Sequence, residues 1–576
     1  MVGRTERPAG GAIAWLLAAT AALAVYAAAV AWTGGYDLRL GGLRLRSHSW
    51  WRPALVSGAL AALLIGLARK QVAHALALSW AAVDSPRAAR LAVPLAMAWT
   101  LAAGLLFGTF AIGGADSSGY ASEARLIAQG RLTDTIPMIP AFTWPDAEAT
   151  LTPLGFTRGQ SPGVIAPKYP PGLPLLLAPL TLVSETAIYF LVPLLGVLTI
   201  WILYRLGVVF GDPTAGAAAA CLLAASPTFL YQVVQPMSDV PVTACWLGAL
   251  LIASRGSGAA AVAAGAISSL AVMIRPNLAP IAAIVLIPAV FSRPEARVRR
   301  TVLFAAALLP GVVTLGWIQQ VRYGSPLASG YGSIHDGFSL AYIPFNLARY
   351  PRWLTESHTA FIWLSLLAPW WIATRAARPL LAWTAALLSI AIWAAYLPYV
   401  YFQPNEWFYT RFLLPAIAVM LLFASAVSLW GLRRLWPVLR LPVTAALLSA
   451  GLATCLHSAQ TLGAFDLRAQ EQKYPLAGAF VRDRLPQKAF VLASQHSGSI
   501  RYYANRPTLR WDLLAPGHLD ETLGILRAQG LEPFLVVDAG EDEEFRRRFE
   551  AAGQRAVRAM MSLAVCGDAR VYGFQK

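Results

Sequence analysis

The chain has 576 residues, 57% of them hydrophobic and only 13% charged, with 20 Trp, 19 Tyr and a formal net charge of +17. An ordinary soluble domain carries about 25% charged residues, so this composition excludes a typical water-soluble enzyme and fits a chain solvated largely by lipid. In a soluble protein the positive charge would point to nucleic acid; here it reads as the Lys/Arg excess of cytoplasmic loops, with membrane lipids rather than nucleic acid as the partner.

Arg4 and Arg7 precede an apolar run at 11–32. That run is longer than a signal-peptide core of about 7–15 residues, so it reads as a retained helix. A bilayer core takes about 20 apolar residues, fewer where Pro or polar groups shorten the crossing. On that basis about thirteen spans are expected, at 12–32, 53–68, 91–112, 186–206, 214–233, 240–253, 259–274, 278–291, 301–318, 359–373, 380–398, 412–430 and 441–456.

The basic residues orient them. Arg69, Lys70, Arg87, Arg90, Arg205, Arg255, Arg293, Arg297, Arg299, Arg300, Arg375, Arg378, Arg433, Arg434 and Arg440 all fall on one side of the alternation, the cytoplasmic side, together with the N-terminus. Arg39, Arg44, Arg46 and Arg52 between the first two spans disagree. The loops 113–170 and 319–358 and everything beyond about 457 then face outward. In the tail, 490–494 and 533–538 read as short buried strands, and 519–529 and 541–552 as helices. The expected fold is an all-α polytopic membrane protein with a small C-terminal α/β extracytoplasmic domain. Its parts would be two N-terminal spans with a cytoplasmic loop (1–90), a membrane domain (91–458) and the tail (459–576). Cys221, Cys245 and Cys455 lie in apolar runs, and no C-x-x-C pair occurs among the four cysteines; they read as small core residues.

A transporter or flippase would carry ionisable groups deep in its spans. Here Asp116, Asp239, Arg275, Tyr331, Glu406 and Arg411 collect instead at outer span ends. That favours an enzyme working at one membrane face over a conduit or a non-catalytic scaffold for cell-envelope assembly. Asp116 follows the third span and opens a stretch in which Tyr120, Ala124 and Ile127 recur at helical spacing. Its carboxylate is either a helix N-cap or a general base at the membrane surface. Asp239 either caps the next helix or has a functional part at the same face. Lys168, beside Tyr169, either meets a lipid phosphate or snorkels to the interface. The Gly-rich segment 323–332, which contains Tyr331, lacks the Gly-Lys-Ser/Thr of a P-loop and reads as a loop lining the acceptor side. His335/Asp336 and Glu356/His358 lack zinc spacing and read as solvated loop positions.

Asp116 after an early span, the Tyr-containing helix, and Lys168-Tyr-Pro-Pro-Gly-Leu-Pro-Leu-Leu-Leu177 together resemble the GT-C superfamily of membrane glycosyltransferases. Within it the chain is similar to the protein-O-mannosyltransferase and lipid A aminoarabinose transferase group. Gln235-Pro-Met-Ser-Asp-Val-Pro241, Met273-Ile-Arg-Pro276 and Tyr409-Thr-Arg-Phe-Leu-Leu-Pro415 agree in order and sidedness, so the resemblance spans roughly 91–430. It implies a bacterial inner-membrane enzyme that takes a sugar from a polyprenyl-phosphate donor. The sugar would pass, with inversion, to a lipid, glycan or protein acceptor on the extracytoplasmic face. Asp116 would be the base, and Lys168, Arg411 and Arg275 would hold the phosphate. Asp239, Tyr120, Tyr169 and Tyr331 would support the acceptor or a metal. Many relatives carry two adjacent acids in the first loop; here Ser117 follows Asp116, which leaves a divalent cation open.

Overall fold

The computed structural model describes residues 9–33, 36–40, 43–47, 49–137, 139–400 and 406–575. Arg4 and Arg7, and the side chains of Arg39, Arg44, Arg46 and His335, lie outside the described part.

Each of the thirteen apolar runs falls on a helix, but the helices differ in reach. Among the described residues seven are long and apolar enough to cross a membrane: Trp51–Val83, Pro86–Leu106, Ile188–Phe210, Arg297–Tyr323, Pro379–Tyr396, Trp407–Leu432 and Pro437–Thr461. The number rises to eight if the bent pair Pro213–Ala225 and Pro227–Val233 counts as one span. Hydropathy had led to about thirteen. The first run lies on helix Ala9–Thr33, which is only partly described; the rest of the difference lies in bends and in length. Asp239–Ala253, Gly258–Ile274 and Ile281–Phe291 have 15, 17 and 11 residues. At about 1.5 Å per residue these reach roughly 16–26 Å, short of a core about 30 Å thick. The 359–373 run divides into a 3-10 helix, Ala360–Leu367, and a short α-helix, Ala368–Arg375.

The 63° bend at 225–227 has a local cause. Pro227 supplies no N–H, and Ser226 caps the second half by accepting from the Phe229 N–H. His358 locks the corner, with Nε2 2.7 Å from Ser226 Oγ and Nδ1 2.8 Å from Ser357 Oγ. It is buried, not the solvated loop residue its sequence context implied. Burial pushes its pKa down to about 4. The folded state therefore binds fewer protons than the unfolded state between about pH 6.5 and 4. The associated stability is complete above that window and is lost as pH falls through it, on the order of 3 kcal/mol. Between pH 7.5 and 5, wild-type protein should lose more thermal stability than His358→Gln; parallel losses would remove His358 from the effect.

The chain divides into two compact units, Met1–Ala89 with Ser428–Ala450, and Arg90–Val427 with Gly451–Lys576. The first contains an antiparallel hairpin, Tyr36–Leu40 paired with Leu43–Ser47, between its apolar helices. It also holds a bidentate ion pair from Arg433 to Asp84 at 2.8 and 2.7 Å. The second contains the site.

Within the second unit the tail forms a five-stranded mixed sheet in the order Thr508–Leu509, Ala489–Leu492, Glu532–Asp538, Ala569–Phe574, Met560–Cys566. The first three strands are parallel and the last two join antiparallel. Helices Leu519–Ala528 and Ala539–Glu550 accompany it, the latter started by a capping box between Asp538 and Glu541. One core serves both tail and long loop: Leu126, Ile136, Phe142, Leu151, Phe156 and Ile165 pack with Phe490, Leu509, Trp511, Leu523, Leu535 and Phe549. Arg501 binds Asp134 at 2.6 Å, and the Arg125 guanidinium lies 3.4 Å above the Tyr502 ring. Loop and tail therefore fold as one body.

Candidate functional site

A cavity of about 640 Å³ opens in the second unit, and Asp116, Tyr120, Lys168, Tyr169, Asp239, Arg275, Tyr331 and Arg411 all line it. Residues from six separate parts of the sequence thus converge. Asp116 and Asp239 reach it in the same way, as the first residues of helices Asp116–Ala128 and Asp239–Ala253. Neither makes a side-chain cap, which leaves the carboxylates to face the cavity while gaining from the positive helix end. Arg275 sits where helix Gly258–Ile274 stops before Pro276. Arg411 lies on the 3-10 turn Trp407–Leu413 at the head of a span.

Two acid–arginine pairs result. Arg411 Nη2 donates to Asp116 Oδ2 at 2.8 Å, and the Tyr169 hydroxyl donates to Asp116 Oδ1 at 2.6 Å. Arg275 Nη2 meets Asp239 Oδ1 at 2.5 Å, and its Nη1 reaches the Tyr396 hydroxyl at 3.0 Å. Tyr120 and Ser238 join hydroxyls at 3.0 Å, which ties the first acidic helix to the second. The pairs differ in exposure. The Asp239 side chain is 0% exposed and Asp116 is 29% exposed, so Asp116 is the carboxylate that a ligand can reach. Burial pushes the Asp116 carboxyl up, but Arg411 and the Tyr169 hydroxyl outweigh it and hold the carboxyl below its ordinary range. It is therefore ionised at neutral pH. Among the described residues, Asp239 Oδ2 and Arg411 Nε in the cavity wall are buried without a hydrogen-bond partner.

Lys168 stands apart. It makes no ion pair among the described residues, and its Nζ lies 5.5 Å from the Tyr331 ring centroid. Burial lowers its pKa, while nearby Asp116 pulls the other way. The loop carrying Tyr331 comes very close here: a Cβ on Gly330 would lie 2.2 Å from the Lys168 carbonyl oxygen, so only glycine fits. Among the described residues, no group of three or more His, Cys, Asp or Glu is placed to hold a metal ion.

Residues 168–317 match the family model described as dolichyl-phosphate-mannose-protein mannosyltransferase. The structure superposes on ArnT from Cupriavidus metallidurans in the apo state with a TM-score of 0.53 and 15% identity, covering 84% of this chain and 97% of that one. The same protein bound to undecaprenyl phosphate gives 0.50 at 14% identity, with the same coverage. The chain has the fold of the GT-C glycosyltransferases. An Archaeoglobus fulgidus oligosaccharyltransferase structure, tethered with an acceptor peptide, gives a TM-score of 0.46 at 14% identity over 85% of this chain and 74% of that one. No curated protein sequence matches the chain.

The matched segment starts at Lys168 and contains Asp239 and Arg275, whereas Asp116 and Arg411 lie outside it and reach the cavity through the fold. Sequence reasoning missed several residues of the site. Ser238 and Tyr396 hold Arg275, and Tyr399 also lines the cavity. The two tyrosines close the 380–398 run, where aromatics at a span end read simply as interface anchors. Arg322, another lining residue, forms a fully buried pair with Glu123 at 2.7 Å.

Proposed function

We propose that the protein is a bacterial inner-membrane glycosyltransferase that takes a sugar from a polyprenyl-phosphate donor. The sugar passes with inversion to an acceptor hydroxyl on the extracytoplasmic face. The observation that carries this reading is the pairing, in one cavity, of a reachable ionised carboxylate, Asp116, with an uncommitted cation, Lys168, and two arginines. Transfer from a phosphate leaving group needs both: a base for the acceptor proton and positive charge for the departing oxygen.

Asp116 takes the proton from the acceptor hydroxyl, whose oxygen attacks the anomeric carbon. The bond from that carbon to the phosphate oxygen breaks, and the polyprenyl phosphate leaves as an anion. Lys168, Arg411 and Arg275 hold the phosphate through charge-assisted hydrogen bonds. Arg411 has a double part. While it pairs with Asp116, it weakens the carboxylate as a base. A donor phosphate that draws the guanidinium away raises the proton affinity of Asp116 when the substrate is in place. Asp239 holds the Arg275 guanidinium in position from inside the cavity wall. Tyr120, Tyr169 and Tyr331 present hydroxyls and ring faces suited to sugars. The loop arginines support a cytoplasmic N-terminus and an extracytoplasmic segment 459–576.

Lys168→Ala should raise the KM for a polyprenyl-phosphate sugar by roughly tenfold or more, the worth of a lost charged hydrogen bond, with a smaller change in kcat. The check is initial-rate transfer of a labelled sugar by purified protein in lipid nanodiscs. An unchanged donor KM would remove Lys168 from phosphate binding.

A further inference from the structure

The nine residues that lead from helix Pro86–Leu106 to Asp116 are bound by the membrane helices, through the Thr109 N–H to the Val234 carbonyl at 2.8 Å, and at several points by the tail. Arg468 Nη1 donates to the Leu106 carbonyl at 3.1 Å, and Gln472 Nε2 donates to the Thr109 carbonyl at 2.8 Å. The Ile112 N–H donates to the Tyr503 hydroxyl at 2.8 Å. The Tyr474 ring lies against Gly113, where an added Cβ would sit 2.0 Å from a ring carbon. Tyr474 is backed in turn by the His496 ring, 4.6 Å between centroids, and His496 Nε2 is 2.8 Å from Asp538 Oδ1. Just past Asp116, Gly498 closes on Ser118: a Cβ there would lie 2.5 Å from Ser118 Oγ.

The loop so held is strained. Phe110 has φ +44°, the left-handed region that a bulky side chain avoids, and Gly114 has φ +55°. A conformation of this kind persists only where its surroundings over-determine it. The Phe110 side chain is itself gripped, by Tyr189 and Phe190 at 5.4 and 5.9 Å and by the Arg468 guanidinium at 5.4 Å. Local sequence therefore does not choose this loop conformation; segment 465–503 holds it together with Tyr189, Phe190 and Val234.

We propose that Tyr503, Gln472 and Tyr474 of the tail are positioning residues for the active site, holding 107–115 in the strained conformation that presents Asp116 to the cavity. This rests on the role assigned to Asp116 above. It gives the tail a function other than acceptor binding, because none of the three residues lines the cavity. A base displaced by a fraction of an ångström loses its alignment with the acceptor hydroxyl while the donor phosphate still binds.

The test combines amide hydrogen exchange with transfer kinetics on the full chain in lipid nanodiscs. Tyr503→Phe removes the acceptor of the Ile112 N–H together with the hydroxyl's hydrogen bond to Tyr189, Gln472→Ala removes one donor, and neither empties a core. Each variant should speed exchange at 107–115 by roughly tenfold or more, with strand Glu532–Asp538 unchanged. Each should lower kcat by about ten- to a hundredfold at an unchanged donor KM. Arg482→Ala, on the exposed side of the same segment, should leave both readings at wild type. Unchanged exchange at 107–115 in both variants overturns the proposal whatever the transfer assay gives, and so does faster exchange with wild-type kcat. A wild-type protein that transfers no sugar would instead overturn the glycosyltransferase reading, and the exchange data would still decide whether the tail holds the loop.

Discussion

Asp116→Asn is expected to lower sugar transfer by about 10²- to 10⁴-fold, the usual worth of a positioned general base. Asparagine keeps the size of the side chain and can still meet the Tyr169 hydroxyl, so the cavity should survive. Only the negative charge and the proton acceptor are lost. Arg411 then loses its carboxylate, and with it the competition for the donor phosphate. Donor KM should stay level or fall while kcat collapses, a split that separates lost chemistry from lost binding. The pH profile carries the same information. In the free enzyme Arg411 and Tyr169 hold the Asp116 carboxyl below its ordinary value of about 3.9, so the acid limb of kcat/KM lies at low pH. With donor bound and Arg411 shared, the acid limb of kcat should lie higher. Coincident limbs would mean that Arg411 does not leave Asp116 for the phosphate.

Glu123→Leu should cost about 3–5 kcal/mol of stability, because it strands a charge in the protein interior. Glu123 and Arg322 are 0% and 1% exposed and meet at 2.7 Å, joining the amphipathic helix that begins at Asp116 to the end of span Arg297–Tyr323. The two halves of the pair are not equivalent. Burial pushes the Glu123 carboxyl up even against the pull of Arg322, so without its partner it can take a proton and become neutral. An arginine cannot shed its charge. Arg322→Met should therefore cost less than Glu123→Leu, and the double variant should recover much of the loss. Chemical unfolding of the three variants in detergent checks the order. A costlier Arg322→Met would show that the carboxylate, not the guanidinium, is the charge that cannot be left alone.

What the sequence made legible follows from which physical signals are local. Apolar runs long enough to cross a bilayer mark helices wherever they occur, so all thirteen runs fall on helices. The reach of each run was not legible, because hydropathy does not register that Ile281–Phe291 is only 11 residues long or that Ser226 and Pro227 bend a run by 63°. The eight candidate residues stood out in the sequence, since short motifs with Asp, Lys and Arg at span ends are unusual in an apolar chain, and all eight line one cavity. Their pairing was not. Nothing in the local sequence joins Asp116 to Arg411, 295 positions away, rather than to Arg275. The N-cap reading of Asp116 and Asp239 came within one residue, yet both acids start their helices and point into the cavity. His358 was misread because a polar residue beside a charged one looks solvated until its long-range partner, Ser226, is known. The grip of Tyr474 and Tyr503 on 107–115 joins segments more than 350 residues apart and left no pattern to read.

The central claim, that the cavity transfers a sugar from a polyprenyl phosphate using Asp116, comes down to one assay. Purified protein in nanodiscs is given a labelled polyprenyl-phosphate sugar and a membrane extract as acceptor source, and the label is followed into new glycosidic linkage. Wild-type protein is expected to transfer the label with release of polyprenyl phosphate, and Asp116→Asn to lose transfer almost completely. Transfer at full rate by Asp116→Asn would contradict it, as would a wild-type protein that leaves the labelled donor intact.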